Sequence, residues 1–166
     1  NITCNSFLPN WRIRDYSKSY SASKRKGGGV HLDLSHEVDY TNWIFKNLKK
    51  NNIFSGKYSN LKINSYDYFN LLCKSKLSKI INIKLSYFSH KEQRRIEIFS
   101  EKSYILFDLL SRKIEFLKIN NSKIKKFKKV NAISRMKMQL EDIMSKKPTY
   151  ACTYKEAKQV LKVIGV

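Results

Sequence analysis

Gly27-Gly28-Gly29-Val30-His31-Leu32-Asp33-Leu34-Ser35-His36-Glu37-Val38-Asp39-Tyr40 sets three residues without a Cβ directly before a segment of helical spacing. The glycines let backbone lie close to a ligand or to another segment, and they open positive φ. Val30, Leu34 and Val38 recur at i, i+4 and i+8, which is one apolar helix face. Asp33, His36, Glu37 and Tyr40 recur at i, i+3, i+4 and i+7 and form a second, polar face. Trp43, Ile44, Phe45 and Leu48 make the far end apolar. The pattern predicts a buried helix to about Asn47, with a polar stripe near its N-terminus, where backbone N–H groups favour negative charge.

Two readings fit that stripe. In the structural one, Asp33 is a first-turn acid and His36 a satisfied core histidine. In the chemical one, His36 transfers a proton and Asp33, a turn away, orients the ring.

The glycine triplet, Asp33, Ser35-His36 and the later Asp39 resemble the second domain of the Gfo/Idh/MocA family of oxidoreductases. The resemblance extends, more weakly, over nearly the whole chain. It implies that the complete enzyme has an N-terminal Rossmann domain and a C-terminal α+β domain, of which residues 1–166 are the latter. NAD or NADP would be bound mainly by that Rossmann domain, which these residues lack. The resemblance further implies a helix at the domain junction, with Gly27, Gly28 and Gly29 near the cofactor and Asp33 and His36 as the catalytic pair. The substrate would be a sugar, a sugar derivative or a cyclitol. Trp11, Arg12 and Tyr20, in the aromatic loop before the glycines, would contact it. The family most often places three residues between its Asp and His, whereas here only Leu34 and Ser35 intervene. Either the helix start is one residue tighter, or Glu37 takes the His position.

Composition bounds the rest. The chain has 166 residues, 42% hydrophobic and 13% aromatic, enough for one folded domain with a real core. Its formal net charge is +21. Lysine is spread along the chain in company with Asn and Ile, as a compositional bias would give. No recognition motif accompanies it, so charge alone does not indicate nucleic acid. The dense run Lys123-Ile124-Lys125-Lys126-Phe127-Lys128-Lys129 reads as a solvated loop. No apolar run is long enough to span a membrane, and no secretory signal opens the chain. The first residue is Asn1, so a piece of a longer product is expected. Cys4, Cys73 and Cys152 are widely spaced, which supports neither a zinc ribbon nor a disulfide framework and suggests the reducing cytoplasm.

Along the chain, Ile2 to Leu8 reads as a strand, ended by Pro9-Asn10. From Ile53 to Lys118 the alternation predicts strands at Ile53–Ser59, Asp67–Cys73, Ile80–Phe88, Arg94–Phe99, Tyr104–Leu109 and Lys113–Leu117. Asn51-Asn52 marks a break, and Ser89-His90-Lys91-Glu92 a hairpin turn. Asn120 to Val130 reads as a basic connector. Ile133, Met136, Leu140, Ile143 and Met144 make a helical stripe with core-filling methionines. Thr153-Tyr154-Lys155-Glu156 is a capping box opening a last helix. The fold class is α+β: a mostly antiparallel, mixed sheet with helices packed on one face. The other face, rich in aromatics, is available for pairing, and a homo-oligomer is expected.

Several chemistries lack their signatures. His31, Asp33 and His36 do not share one helix face, so no metal site is assigned. There is no GxGxxG, GxxxxGK[ST] or GxSxG, and no Glu-Lys-Pro. A contrasting reading is a non-catalytic binding module, either a scaffold or a basic nucleic-acid binder.

Overall fold

Alternating apolar and polar residues build one eight-stranded sheet in the computed structural model, which describes residues 1–166. Strand β1 (Ile2–Phe7) is followed by short 3-10 turns, then helices α1 (Val30–Asp33) and α2 (Ser35–Phe45). Seven strands follow: β2 (Lys49–Gly56), β3 (Tyr68–Lys74), β4 (Ile81–Ser86), β5 (Phe88–Phe99), β6 (Ser103–Asp108), β7 (Lys113–Lys118) and β8 (Asn121–Lys126). Helices α3 (Ala132–Met144) and α4 (Tyr154–Ile164) close the chain. The spatial order is β2-β3-β4-β1-β5-β6-β7-β8, and only the β1–β4 pair is parallel.

Register explains where the core sits. Ile2 lies opposite Ile83 on one side and Ile96 on the other, and Leu71 lies opposite Ile83. Cross-strand partners share a face, so these residues form one apolar surface with Phe69, Cys73, Ile81 and Leu85. Val30, Leu34 and Val38 cover it from α1 and α2, and Val160, Val163 and Ile164 add to the same buried cluster from α4. The capping box of Thr153 and Glu156 forms in full, with both reciprocal hydrogen bonds present. No helix is long and apolar enough to cross a membrane.

The predicted α+β class, the one-sided core and the strand identities hold, while several local expectations are corrected. Ser89 to Glu92 is not a hairpin turn but part of β5, because β4 and β5 do not pair: β1 lies between them. The chain crosses the end of β1 at Tyr87, the single residue between the two strands. Asn51 and Asn52 lie within β2, whose ladder with β3 starts at Lys49, and the expected break is a register shift between Lys50 and Asn52 that leaves Asn51 unpaired. The supposed basic connector contains β8, paired with β7 from Lys126 to Asn121. The methionine-rich stripe of α3 does not fill the core: Ile133, Met136 and Met144 are 80%, 66% and 85% exposed. The glycine-led helix is two helices, broken at Leu34 (φ −104°, ψ 21°) and ended at Phe45.

Asp67 fixes the loop between β2 and β3. Its side chain is fully buried and accepts hydrogen bonds from Tyr58 N (2.7 Å), Ser59 N (3.0 Å) and Ser59 Oγ (2.6 Å), with Lys57 Nζ 3.5 Å away. Burial alone would raise its pKa; the Ser59, Tyr58 and Lys57 contacts outweigh that and hold it below the ordinary carboxylate value. Asp67→Ala leaves two backbone N–H groups unpartnered and is expected to cost about 3 kcal/mol in denaturant unfolding at neutral pH. Because the folded pKa is depressed, the Asp67 contribution is complete above the ordinary carboxylate value and fades as pH falls through the folded one. The gap between wild type and variant should therefore narrow on acidification.

Candidate functional site

The glycine turn is a packing device first. A Cβ on Gly28 would collide with Tyr20 O and come within 2.6 Å of Ser21 O, so backbone meets backbone there. Gly29 has φ +134°, a conformation that disfavours other residues. Val30 N donates to Tyr66 O (2.9 Å), Ser65 Oγ to Ser21 O (2.6 Å), Asn64 N to Ala22 O (2.9 Å) and Lys24 N to Asn64 Oδ1 (2.9 Å). These bonds sew the aromatic loop onto the β2–β3 loop.

Asp33 ends α1 on top of this frame. Its Oδ2 accepts the hydroxyl of Tyr87, a side chain with no solvent exposure. Its other oxygen makes no hydrogen bond and is not buried. Burial pushes the Tyr87 phenol well above its usual range, with Asp33 and then Tyr20 adding to the effect. Tyr87 is therefore a fixed donor, and Asp33 a carboxylate steered by it. Trp11 meets the Tyr87 ring edge-on at 5.2 Å, and the Arg12 guanidinium lies 5.0 Å over the Tyr20 ring. Of the residues expected at the site, Trp11 and Asp33 meet at Tyr87, and Arg12 rests on Tyr20.

His36 belongs to a neighbouring constellation. No hydrogen bond joins it to Asp33, because the break at Leu34 takes the two off a common helix face. Its partner is Glu37, with Nε2 3.1 Å from Oε1 and the imidazole half exposed. Glu37 is completely buried on α2; Arg94 Nη2 of β5 lies 2.7 Å from the same Oε1, and the Tyr40 hydroxyl donates to Oε2 at 2.6 Å. Neither contact counts as a full hydrogen bond, and Arg94 Nε is unpartnered as well. Burial would raise the Glu37 pKa, yet His36, Tyr40 and Arg94 together hold it low. His36 also lines a pocket of about 280 Å³ between α2 and α4, with Asp39, Cys152 and Leu161. Sequence reasoning missed Arg94; its signal is a cation on the inward face, since it lies opposite buried Cys4.

Most backbone donors of the glycine turn are bonded within the fold. Gly28 N donates to Ser23 O, Val30 N to Tyr66 O, and Leu32 N and Asp33 N to Gly29 O. Those donors are spent internally and cannot cradle a pyrophosphate. Nor do three His, Cys, Asp or Glu side chains come together as a metal site would require.

No family model matches this sequence, and no curated protein matches it. Solved structures do match in fold. Among them is UDP-N-acetylglucosamine 3-dehydrogenase GnnA from Acidithiobacillus ferrooxidans, at TM-score 0.72 and 16% identity over 98% of this chain and 49% of that one. An oxidoreductase from Agrobacterium radiobacter in complex with NAD+, L-tartaric acid and magnesium gives 0.73 at 15% identity, over 98% and 51%. An NAD binding oxidoreductase from Klebsiella pneumoniae gives 0.74 at 10%, over 98% and 54%. The chain spans about half the length of the solved structures it matches. At these identities the likeness is one of fold.

The Glu37 cluster makes a measurable prediction. Glu37→Gln keeps the shape but removes the charge that holds Arg94 and His36. It is expected to lower stability by about 2 kcal/mol at neutral pH, less than for a sealed ion pair because Arg94 is partly exposed. A depressed folded pKa means the loss is full above the ordinary carboxylate value and shrinks as pH falls below it. Thermal melts of both proteins from pH 3 to 8 read this directly.

Proposed function

We propose that these residues form the substrate-binding C-terminal domain of an NAD(P)-dependent oxidoreductase of the Gfo/Idh/MocA kind. It acts on a hydroxyl of a sugar, a sugar derivative or a cyclitol. The observation that carries this reading is the fold match over 98% of the chain to about half of several NAD-binding oxidoreductases. The open carboxylate of Asp33 among Trp11, Arg12 and Tyr20 supports it.

The nicotinamide, which exchanges a hydride with the carbinol carbon, is held by a separate dinucleotide-binding domain. The contribution of this chain is to bind, orient and move a proton. The free oxygen of Asp33 accepts the substrate hydroxyl, while Tyr87 keeps that carboxylate aimed. Trp11 and Tyr20 offer apolar ring faces to the C–H surface of a sugar, and Arg12 a fixed donor. His36, half exposed and braced by Glu37, exchanges the proton of a second hydroxyl, at the reacting carbon, since the bend at Leu34 sets it apart from Asp33. The sheet face opposite the helices carries Phe54, Tyr68, Leu72, Phe99 and Leu117, and it pairs two copies of the chain.

Two measurements test this. The 166-residue chain alone should bind NADH more weakly than about 1 mM by calorimetry, and micromolar binding would show that the cofactor site lies here after all. Joined to a dinucleotide-binding domain, His36→Gln should lower kcat by about 100-fold and change its pH profile. An unchanged kcat would take the proton from His36.

A further inference from the structure

We propose that the groove between α2 and the loop joining α3 to α4 binds an organic ammonium group. Two cavities lie along it. One, of about 190 Å³, has Asp39, Tyr40, Trp43, Tyr150, Cys152 and Glu156 among its walls. The other, of about 280 Å³, shares Asp39 and Cys152 with the first. Neither has a lysine or an arginine among its walls. The chain carries 34 such residues, and each of the three other main cavities is lined by at least one. In a protein of net charge +21 this groove is the place that a small cation meets without repulsion from its walls. The inference goes beyond the oxidoreductase reading and stands without it.

The walls supply both attractions that an ammonium group needs. Trp43 and Tyr150 pair at 6.0 Å between ring centroids, tilted by 46°. Ring faces attract cations, and tryptophan attracts them best. The Trp43 ring already takes one: Lys46, which is not a wall of either cavity, rests its Nζ 5.3 Å over it. Asp39 and Glu156 add charge, and neither makes an ion pair. Asp39 accepts a hydrogen bond from the Cys152 thiol (3.3 Å). Burial, then Asp39, pushes that thiol up to about 11, so it remains a neutral donor. Glu156 is committed through Oε2 alone, to Thr153 N (2.9 Å) and Thr153 Oγ1 (2.7 Å). Those bonds hold it below the ordinary carboxylate value, so it stays charged. The wall opposite α2 is fixed in advance. Asp142 accepts from Thr149 N (2.9 Å), Tyr150 N (3.0 Å) and Ala151 N (2.7 Å), and the capping box pins the loop at Thr153. A wall that is already ordered lowers the cost of binding. The first cavity is smaller than the roughly 300 Å³ at which pockets for drug-sized molecules begin, so it takes a head group and not a large ligand. No three metal-ligating side chains converge, which points to an organic cation over a metal ion.

NMR titration of the 166-residue chain tests the inference at the indole N–H of Trp43, which Trp43→Leu distinguishes from that of Trp11. Choline or n-butylammonium should shift that signal with a dissociation constant below about 10 mM. Neohexanol, the uncharged carbon isostere of choline, should bind at least tenfold more weakly. Tighter binding of choline identifies a methylated head group, and tighter binding of n-butylammonium a primary amine such as a lysine side chain. Asp39→Asn should weaken binding roughly tenfold. Glu101→Gln, which removes the same charge from the β5–β6 turn, should leave it unchanged, and circular dichroism checks that each variant is folded. Neohexanol binding as tightly as choline would make the groove merely apolar and overturn the proposal. Sodium chloride reproducing the shift, or Glu101→Gln matching Asp39→Asn, would mean diffuse attraction and overturn it too. So would a Trp43 signal that neither ammonium probe moves.

Discussion

Tyr87 is where the fold and the site become one problem. It is the single residue between β4 and β5, and its side chain has no contact with solvent. Its backbone N–H donates to Asp67 O (2.9 Å), its carbonyl accepts from Leu8 N (2.8 Å), and its hydroxyl donates to Asp33. Trp11 closes over the ring. A buried phenol without a partner would be costly, and so would a carboxylate at this depth. Each satisfies the other, and in doing so they tie the end of β1, the β2–β3 loop, α1 and the aromatic loop to one point. The carboxylate with one open oxygen is the one that the crossover needs.

Much of this was legible in sequence because two periodicities carry it. Val30, Leu34 and Val38 announced a buried helix face, and Ile81, Ile83 and Leu85 a half-buried strand; all six are buried. What failed had specific physical causes. Register cannot be read from one strand, so the insertion of β1 between β4 and β5 turned an expected hairpin into continuous strand. Spacing shows that α3 has an apolar face but not what covers it, and its methionines stand in solvent. Asp33 and His36 are at helical spacing, yet the bend at Leu34 separates them. That bend is a backbone event at an ordinary leucine, with no residue signal of its own.

Electrostatics divides the molecule. Of its buried acids, Asp67 is fully hydrogen-bonded, while Glu37 is hydrogen-bonded by Tyr40 at one oxygen and faces Arg94 and His36 at the other. Asp33 is different, because one of its oxygens is committed and one is open. Nearby in the chain, Arg12 and Lys24 are exposed, make no ion pair and rest on the Tyr20 and Tyr66 rings. Structural charges here are neutralised internally, and the charges at the glycine turn are not.

The strand at the far border of the sheet has a consequence of its own. Every residue of β8 is exposed, and its outer edge carries no further pairing. An unprotected border of this kind is a template on which other chains can stack into fibrils. Lys123, Lys125 and Lys126 stand along it, so an incoming strand would meet a file of ammonium groups. Their mutual repulsion would oppose the stacking of a second copy along this border.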